Sequence, residues 1–178
     1  MAVSMRNITQ TYPQSVTELA RKIIARLPKQ IEHWYPKGTI MIIRKPLYSI
    51  AEAGTYWWVT YHTHHLQKLY METSSYNPYL LITKTQDAFA VVALQTDDTL
   101  ILGNEAFHKK EAIELEKAKF LAKPAERLAP KNALTFNGCK LIQDDDRLSI
   151  VQKRQGKKIK SVDMASKQRM EDYREQRA

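Results

Sequence analysis

The segment at residues 89–102 constrains the fold more than any other part of the chain, and it reads Phe-Ala-Val-Val-Ala-Leu-Gln-Thr-Asp-Asp-Thr-Leu-Ile-Leu. Two apolar runs flank Gln-Thr-Asp-Asp, which predicts two strands that fold back on each other with Asp97 and Asp98 at the bend. The first run is apolar at consecutive positions, so we expect that strand to be buried. Two carboxylates at the tip of a buried hairpin lose hydration, and a divalent metal would offset that cost. The alternatives at this stage are a metal site and a hydrated acidic turn.

A second acidic turn in the same chain serves as a comparison. Asp144, Asp145 and Asp146 also lie between apolar residues, within residues 134–151, but there the flanking positions alternate between apolar and polar. This alternation predicts a half-solvated hairpin with a hydrated turn. Adjacent Asp residues are therefore weak evidence by themselves, and the continuous apolar approach is what distinguishes Asp97 and Asp98.

Composition and charge bound the class of protein. The chain has 178 residues, enough for one substantial domain, and a net charge of +9, which suits a polyanionic partner such as nucleic acid or simply a basic soluble protein. The single cysteine, Cys139, excludes an intramolecular disulfide and fits a reducing compartment. No apolar run approaches the length that spans a bilayer, and the first residues do not form a signal peptide. We expect an intracellular protein, cytoplasmic or nuclear, with no membrane partner.

Periodicity predicts the main helices and strands. Apolar spacing after capping-box patterns at residues 15–18 and 49–52 indicates a helix at residues 15–27 and a second one at 49–70. Closely spaced Lys and Glu indicate a third helix at residues 104–123, which Pro124 ends, and this mixed charge is expected to mark a solvated face. β-branched or apolar runs indicate a buried strand at residues 39–43 and another strand at 79–83. Trp57 and Trp58, at helical spacing, are expected to belong to the core.

Two further clusters have a functional and a structural interpretation. His62 and His65 lie one helical turn apart with His64 between them, but zinc requires three or four ligands, so one inward-facing histidine with the others in solvent is the alternative. A basic cluster follows the second hairpin and either contacts a phosphate backbone or solvates the surface; it comprises Lys153, Arg154, Lys157, Lys158 and Lys160.

The order of several short motifs resembles the reverse transcriptase (RNA-directed DNA polymerase) of copia-type long-terminal-repeat retrotransposons. The motifs are Pro46-Leu47-Tyr48, Tyr76-Asn77-Pro78, the stretch from Leu94 through Asp97-Asp98 to Gly103, Phe136-Asn137-Gly138-Cys139, and Leu148-Ser149-Ile150-Val151-Gln152-Lys153. They cover nearly the whole chain. Their order and spacing carry the resemblance, since an Asp pair alone would not.

The resemblance implies an α+β fold, with a polymerase palm-like antiparallel sheet backed by helices and a catalytic β-hairpin. It implies residues 1–160 as a partial palm domain with the fingers missing, and residues 161–178 as a polar tail that ends before a thumb or ribonuclease H domain. In this family Mg²⁺ held by carboxylates supports addition of deoxynucleoside triphosphates to a DNA primer on an RNA template. Asp97 and Asp98 match the metal-binding pair. The family also makes residues 23–27 a strand, and we adopt that prediction over the helix.

The resemblance also assigns a third metal-ligand position near the start of the chain. Asn7 occupies it, where the family has Asp, and Tyr12 stands where the family uses a ring to exclude ribose 2′-hydroxyls. Ser49, Glu52 and Asn77 are further departures, in place of Gly, Gln and Asp. Two hypotheses follow: a reverse transcriptase palm, or a catalytically inactive remnant that at most binds nucleic acid. An unrelated basic structural or DNA-binding module is a third, and it predicts that Asn7 lies far from Asp97 and Asp98.

Overall fold

The computed structural model describes residues 1–144, 147–153 and 156. The chain divides into two compact units, which we call the sheet unit (Met1–Glu126) and the C-terminal unit (Arg127–Ala178). Within these described residues the fold is mixed, with antiparallel sheets and three α-helices, so the coarse prediction of an antiparallel sheet with helices is confirmed. Residues 161–178, the predicted polar tail, lie outside the described residues.

Helices and strands follow one another without internal repetition. The helices are α1 (Lys29–Glu32), α2 (Ala53–Lys68) and α3 (Glu105–Lys117), with a short 3₁₀ helix at Tyr12–Gln14. The strands are β1 (Ala2–Asn7), β2 (Ile23–Arg26), β3 (Ile40–Ile43), β4 (Met71–Thr73), β5 (Leu80–Thr83), β6 (Ala90–Gln95), β7 (Asp98–Gly103), β8 (Glu126–Arg127), β9 (Leu134–Phe136), β10 (Cys139–Asp144) and β11 (Arg147–Gln152).

One six-stranded sheet, in the order β4-β5-β6-β7-β1-β8, organises the sheet unit. The pairs from β4 through β1 are all antiparallel. The predicted hairpin at residues 89–102 is confirmed as β6 and β7, which are joined by a two-residue loop. The first strand of the chain, β1, pairs along the full length of β7, and this pairing brings the N-terminal segment to the hairpin.

The core lies between this sheet and the helices α2 and α3. Alternate residues of the hairpin, such as Val92 and Ile101, are fully buried and form one cluster with Trp57 and Phe107 of the helices. Val91, on the opposite face of β6, is only half-buried. The expectation that this strand is buried on both faces is therefore wrong, because the helices cover one face of the sheet.

Local backbone geometry shortens both long helices relative to the predictions. The predicted capping box at residues 49–52 is wrong, because Ser49 has a φ of 73° and Glu52, at the N-cap of α2, makes no capping hydrogen bond; its carboxylate accepts from Arg21 instead. Helix α3 ends at Lys117, well before Lys123, because Lys119 turns left-handed with a φ of 58° and the amides of Lys119 and Phe120 bond to carbonyls of the last turn. This is a Schellman motif built without glycine.

The segment at residues 15–27 is not a helix. Residues Ile23–Arg26 pair with Ile40–Ile43 as an antiparallel ribbon, which agrees with the strand adopted from the family pattern. The Lys45 ammonium group donates to the carbonyls of Ser15 and Val16, so these carbonyls bond to a side chain and not to amides of a helix. The second strand of this ribbon was predicted to be buried, and that prediction is wrong because Ile40 and Ile42 are exposed.

The C-terminal unit contains a three-stranded antiparallel sheet in the order β11-β10-β9. Leu134 and Leu141 are buried, whereas every residue of β11 is exposed, including Leu148 and Ile150. The prediction of a hairpin with one solvated and one buried face therefore fits β9 and β10 and is wrong for β11. Asp144 pairs with Arg147 across the bend, and Asp145 and Asp146 lie outside the described residues. In the described part of the chain, no helix has the length and apolarity needed to cross a membrane.

Candidate functional site

The acidic turn lies at the end of the sheet where β1, β6 and β7 meet. Gln95 pairs with Asp98, so Thr96 and Asp97 form the loop. Asp97 is exposed at the tip, and Asp98, the first residue of β7, is half-buried. The turn therefore presents one solvated and one partly desolvated carboxylate, so the expectation that both lose hydration is wrong for Asp97 and holds in part for Asp98.

Asn7 lies directly beside this pair. It is the last residue of β1 and is the register partner of Asp98. Its amide nitrogen Nδ2 donates a hydrogen bond of 2.9 Å to Asp98 Oδ1, and the amide of Ile8 donates to the carbonyl of Asp97 at 2.7 Å. The hypothesis of an unrelated module predicted that Asn7 lies far from the pair, and this prediction is wrong.

The hydrogen bond from Asn7 changes the electrostatics of the turn. A carboxylate in this position would face the Asp98 carboxylate at hydrogen-bond distance, and two like charges so close need a shared proton or a cation. The neutral amide donates a hydrogen instead and satisfies Asp98 by itself. In the described residues, no group of three or more His, Cys, Asp and Glu side chains is placed to hold a metal ion.

The backbone of the turn is strained and is anchored from below. Thr96 has a φ of 38°, a conformation that β-branched residues rarely adopt and that costs about 1–3 kcal/mol. The indole nitrogen of Trp57 donates to the carbonyl of Thr96. Trp57 is itself buried and stacks on Tyr61, with ring centroids 4.9 Å apart, so helix α2 holds the turn in this conformation.

A cavity of about 470 Å³ opens beside the turn. It extends from the N-terminal end of α2 to the start of β5, and its walls include Ala51, Gly54, Trp58, Tyr79, Leu94 and Thr96. Trp58 is half-buried and stacks on His62 at 4.5 Å between ring centroids. The prediction that both tryptophans belong to the core is therefore confirmed for Trp57 and wrong for Trp58, which borders this cavity.

A buried ion pair joins Arg6, the residue before Asn7 in β1, to Glu111 of α3. The sequence interpretation did not predict this pair. The Arg6 guanidinium donates to both carboxylate oxygens of Glu111, through Nε at 3.0 Å and through a second, shorter bond from its terminal nitrogen. Glu111 is fully buried, although the charges of α3 were expected to be solvated. Its spacing offered a signal, because Phe107, Glu111 and Leu115 follow at intervals of four on the buried face of α3.

Tyr61 extends this buried polar network toward the turn. Its hydroxyl accepts a hydrogen bond of 3.2 Å from Thr99, which pairs with Arg6 in the sheet. Burial raises the pKa of Tyr61 above its usual range, and the nearby negative charge of Glu111 adds to this effect. The phenol therefore stays neutral and serves as a hydrogen-bonding member of the core beneath the turn.

Tyr12 lies in the 3₁₀ helix that follows β1. Its ring is half-buried against the core and contacts Tyr48, with 4.7 Å between ring centroids. The structure thus packs together two residues from different motifs of the resemblance. Of the basic cluster, the structure describes Lys153, whose amide donates to Gly138 at 2.8 Å; Arg154, Lys157, Lys158 and Lys160 lie outside the described residues.

The three histidines of α2 are packed against the protein interior. His62, His64 and His65 are all buried, so the expectation that two of them face solvent is wrong. His65 Nδ1 donates to the carbonyl of Tyr61 at 2.9 Å, and His62 Nε2 lies 3.1 Å from the Thr73 hydroxyl. The three histidines therefore pack in the interior, and two of them form hydrogen bonds within the sheet unit.

Acidification is expected to destabilise the sheet unit through these histidines. Burial lowers the pKa of His65 to about 3 and also lowers the pKa of His62 and of His64. Below about pH 6.5 the unfolded chain binds protons that the folded protein does not. The free energy of unfolding should then fall with pH by up to about 1.4 kcal/mol per unit through His65, and His62 and His64 should act in the same direction. Urea denaturation at a series of pH values between about 7 and 5 would measure this slope.

The matched variant for the pH experiment is His65→Met, which keeps an apolar group of similar size in the core. We expect a shallower decrease of stability on acidification for this variant than for the unchanged chain. Equal slopes for the two proteins would contradict the assignment to His65.

Comparison of the chain with models of known protein families, with curated proteins and with solved structures found no match.

Proposed function

We propose that the sheet unit is a palm of the copia-type reverse transcriptase class, in which Asp97 and Asp98 are the remaining carboxylates of a nucleotidyl-transfer site. The substrates implied are an RNA template, a DNA primer and deoxynucleoside triphosphates. The order of motifs along the chain supports this proposal. The strand pairing supports it further, because the three positions that the resemblance assigns to the metal site meet at one end of one sheet.

The single observation that carries the proposal is the contact between Asn7 and Asp98. These residues are separated by 91 positions in sequence, and their side chains lie 2.9 Å apart. The resemblance assigned both to one site from motif order alone, before any geometry was considered. An unrelated fold would have no reason to bring these two positions together.

The residues of the turn fit magnesium in part. Mg²⁺ in proteins is commonly held by one or two carboxylates together with substrate phosphates. Asp97 and Asp98 would supply the carboxylates. When bound, the ion would neutralise triphosphate charge and activate the primer hydroxyl. Asn7 adds no charge, and its hydrogen-bond donor faces Asp98. Tyr12 is the proposed sugar gate, and the bulk of its ring would exclude triphosphates that carry a ribose 2′-hydroxyl.

A second candidate function is nucleic-acid binding without polymerisation. The observation that favours it is again the amide of Asn7, which donates a hydrogen bond to the half-buried Asp98 at the position where the family has a further carboxylate. Removing one of the few full charges in a site for divalent ions costs several kcal/mol of ion binding. In this case the basic cluster would supply the contacts to phosphate. Lys153 is the member of that cluster that the structure describes.

Primer extension distinguishes the two candidates. We expect no detectable extension of a DNA primer on an RNA template by the purified chain in the presence of Mg²⁺ and the four triphosphates, because the third carboxylate is missing. Robust extension that is abolished by Asp98→Asn would contradict this expectation and establish the catalytic candidate. Extension that persists in Asp98→Asn would indicate a contaminating polymerase, so this variant is the necessary control.

A further inference from the structure

The antiparallel ribbon formed by β2 and β3 exposes an unusual surface. Ile24 and Ile42 face each other across the ribbon, as do Arg26 and Ile40, and all four side chains are exposed. Ile24 alone is 56% exposed. Side chains at alternate positions of a strand share one face, so isoleucines and cations lie together on this face. Branched apolar side chains in such an exposed pair of strands indicate an interaction surface.

The cations of this region are largely free. Residues 21–45 contain seven Lys and Arg and one acidic residue, Glu32. Within the described part of the chain, five of these cations have no ion pair, and all five are exposed: Lys22, Arg26, Lys29, Lys37 and Arg44. The segment thus carries most of the net charge of the whole chain. A surface of this sign attracts polyanions and raises their rate of association.

Two aromatic side chains lie in the connection between the strands. Trp34 is 69% exposed, and its neighbour Tyr35 is also exposed. Trp34 makes an edge contact with the ring of His33 at 5.2 Å, which leaves most of the indole surface uncovered. Exposed rings among Lys and Arg are the two components of surfaces that bind single-stranded nucleic acid, where bases stack and phosphates meet cations.

We propose that the β2–β3 ribbon and its connection bind single-stranded nucleic acid. The phosphates contact Lys22, Arg26 and Arg44, and bases stack on Trp34. Along β2 and the residue before it, Lys22, Ile24 and Arg26 alternate cation and isoleucine on the exposed face, which places apolar surface beside each phosphate contact. This inference goes beyond the proposed function, because it assigns a surface that uses neither the acidic turn nor the basic cluster.

Two other occupants fit the observations less well. A second copy of the chain would bring two strongly positive ribbons together, and like charges oppose that pairing. A membrane surface favours a helix or ribbon whose apolar and cationic groups lie on opposite faces. Here Arg26 shares a face with Ile24 and Ile40, so burying the isoleucines in lipid would also desolvate the cation.

Fluorescence anisotropy of a labelled oligodeoxythymidylate of about 15 nucleotides tests the proposal. The assay is run with EDTA across a salt series, so that it is independent of any metal site. We expect the triple variant Lys22→Gln, Arg26→Gln and Arg44→Gln to bind more weakly and to reduce the slope of log affinity against log salt by about 2. Trp34→Ala should weaken binding by about 5- to 100-fold with an unchanged salt slope.

The matched control removes the same charge elsewhere in the sheet unit, at exposed lysines of α2, α3 and the segment after α3: Lys68→Gln, Lys109→Gln and Lys123→Gln. Circular dichroism establishes that each variant is folded. A control that lowers the salt slope as much as the ribbon variant would overturn the proposal. Tighter binding of a duplex than of the single strand would also overturn it. So would oligonucleotide binding that Trp34→Ala and the ribbon variant leave intact. If one of these variants instead abolished self-association or binding to anionic vesicles, the surface would belong to that other occupant. Because the assay contains no divalent ion, binding through the ribbon stands even if Asp97 and Asp98 prove unrelated to polymerisation.

Discussion

Glu111→Gln is expected to lower the free energy of unfolding of the sheet unit by about 3–5 kcal/mol. Glu111 is completely buried, and its partner Arg6 is only 11% exposed. The substitution leaves a guanidinium ion in the core without its counter-charge, and burial of an uncompensated charge is one of the largest single-residue penalties known. Urea denaturation followed by circular dichroism would measure the change.

Two controls separate this effect from a general loss of charge. Glu52→Gln breaks the ion pair between Arg21 and Glu52, both about half-exposed, and should cost less than about 1 kcal/mol. The double variant Arg6→Met with Glu111→Leu removes both buried charges and should recover much of the stability lost by Glu111→Gln. A cost for Glu111→Gln no larger than that for Glu52→Gln would show that the pair is not buried in solution.

Asn7→Asp is expected to make the stability of the sheet unit depend on divalent ions. In EDTA the new carboxylate would face Asp98 without the hydrogen bond that the amide donates, and we expect a loss of about 2–3 kcal/mol. Mg²⁺ at about 100 times its dissociation constant would restore about 2.7 kcal/mol, because it binds the folded state. Thermal denaturation with EDTA and with Mg²⁺ measures both effects.

Asn7→Ala is the matched control for the effect of Mg²⁺, because it removes the hydrogen bond without adding a charge. It should be destabilised in EDTA and should gain little from Mg²⁺. Adding Asp98→Asn to Asn7→Asp should abolish the gain. A failure of Mg²⁺ to stabilise Asn7→Asp more than the unchanged chain would remove the basis for a metal site at this turn. That result would leave the ribbon proposal untouched.

The elements set by local pattern were predictable from the sequence. The hairpin of β6 and β7 follows from two apolar runs around a polar bend, α2 follows from apolar spacing, and α3 follows from its closely spaced Lys and Glu. The ends of α3 depended on single residues. Asn104 caps the helix by accepting from the amide of Phe107, whereas no rule from composition anticipates that Lys119 would adopt the left-handed conformation usually reserved for glycine.

Features that depend on tertiary contacts were not predictable from periodicity. The spacing of apolar residues 16–27 fits a helix, yet the pairing of β2 with β3 overrides it. Glu111 was assigned to a solvated face by its charged neighbours, because a single sequence does not show that Arg6 lies opposite. The contact between Asn7 and Asp98 was anticipated only through motif order, since no local pattern links residues so far apart.

The hydrogen bond between Asn7 and Asp98 also makes changes at position 7 asymmetric in the course of evolution. With asparagine, the turn is held by a hydrogen bond between its own residues, which needs no cation. An exchange of aspartate for asparagine at this position would therefore meet little resistance from selection on folding. Return to aspartate would first lower stability, and it would bring a benefit only where a divalent ion and the rest of a working site were already present. The bond therefore favours retention of the fold whether or not the turn carries any metal chemistry.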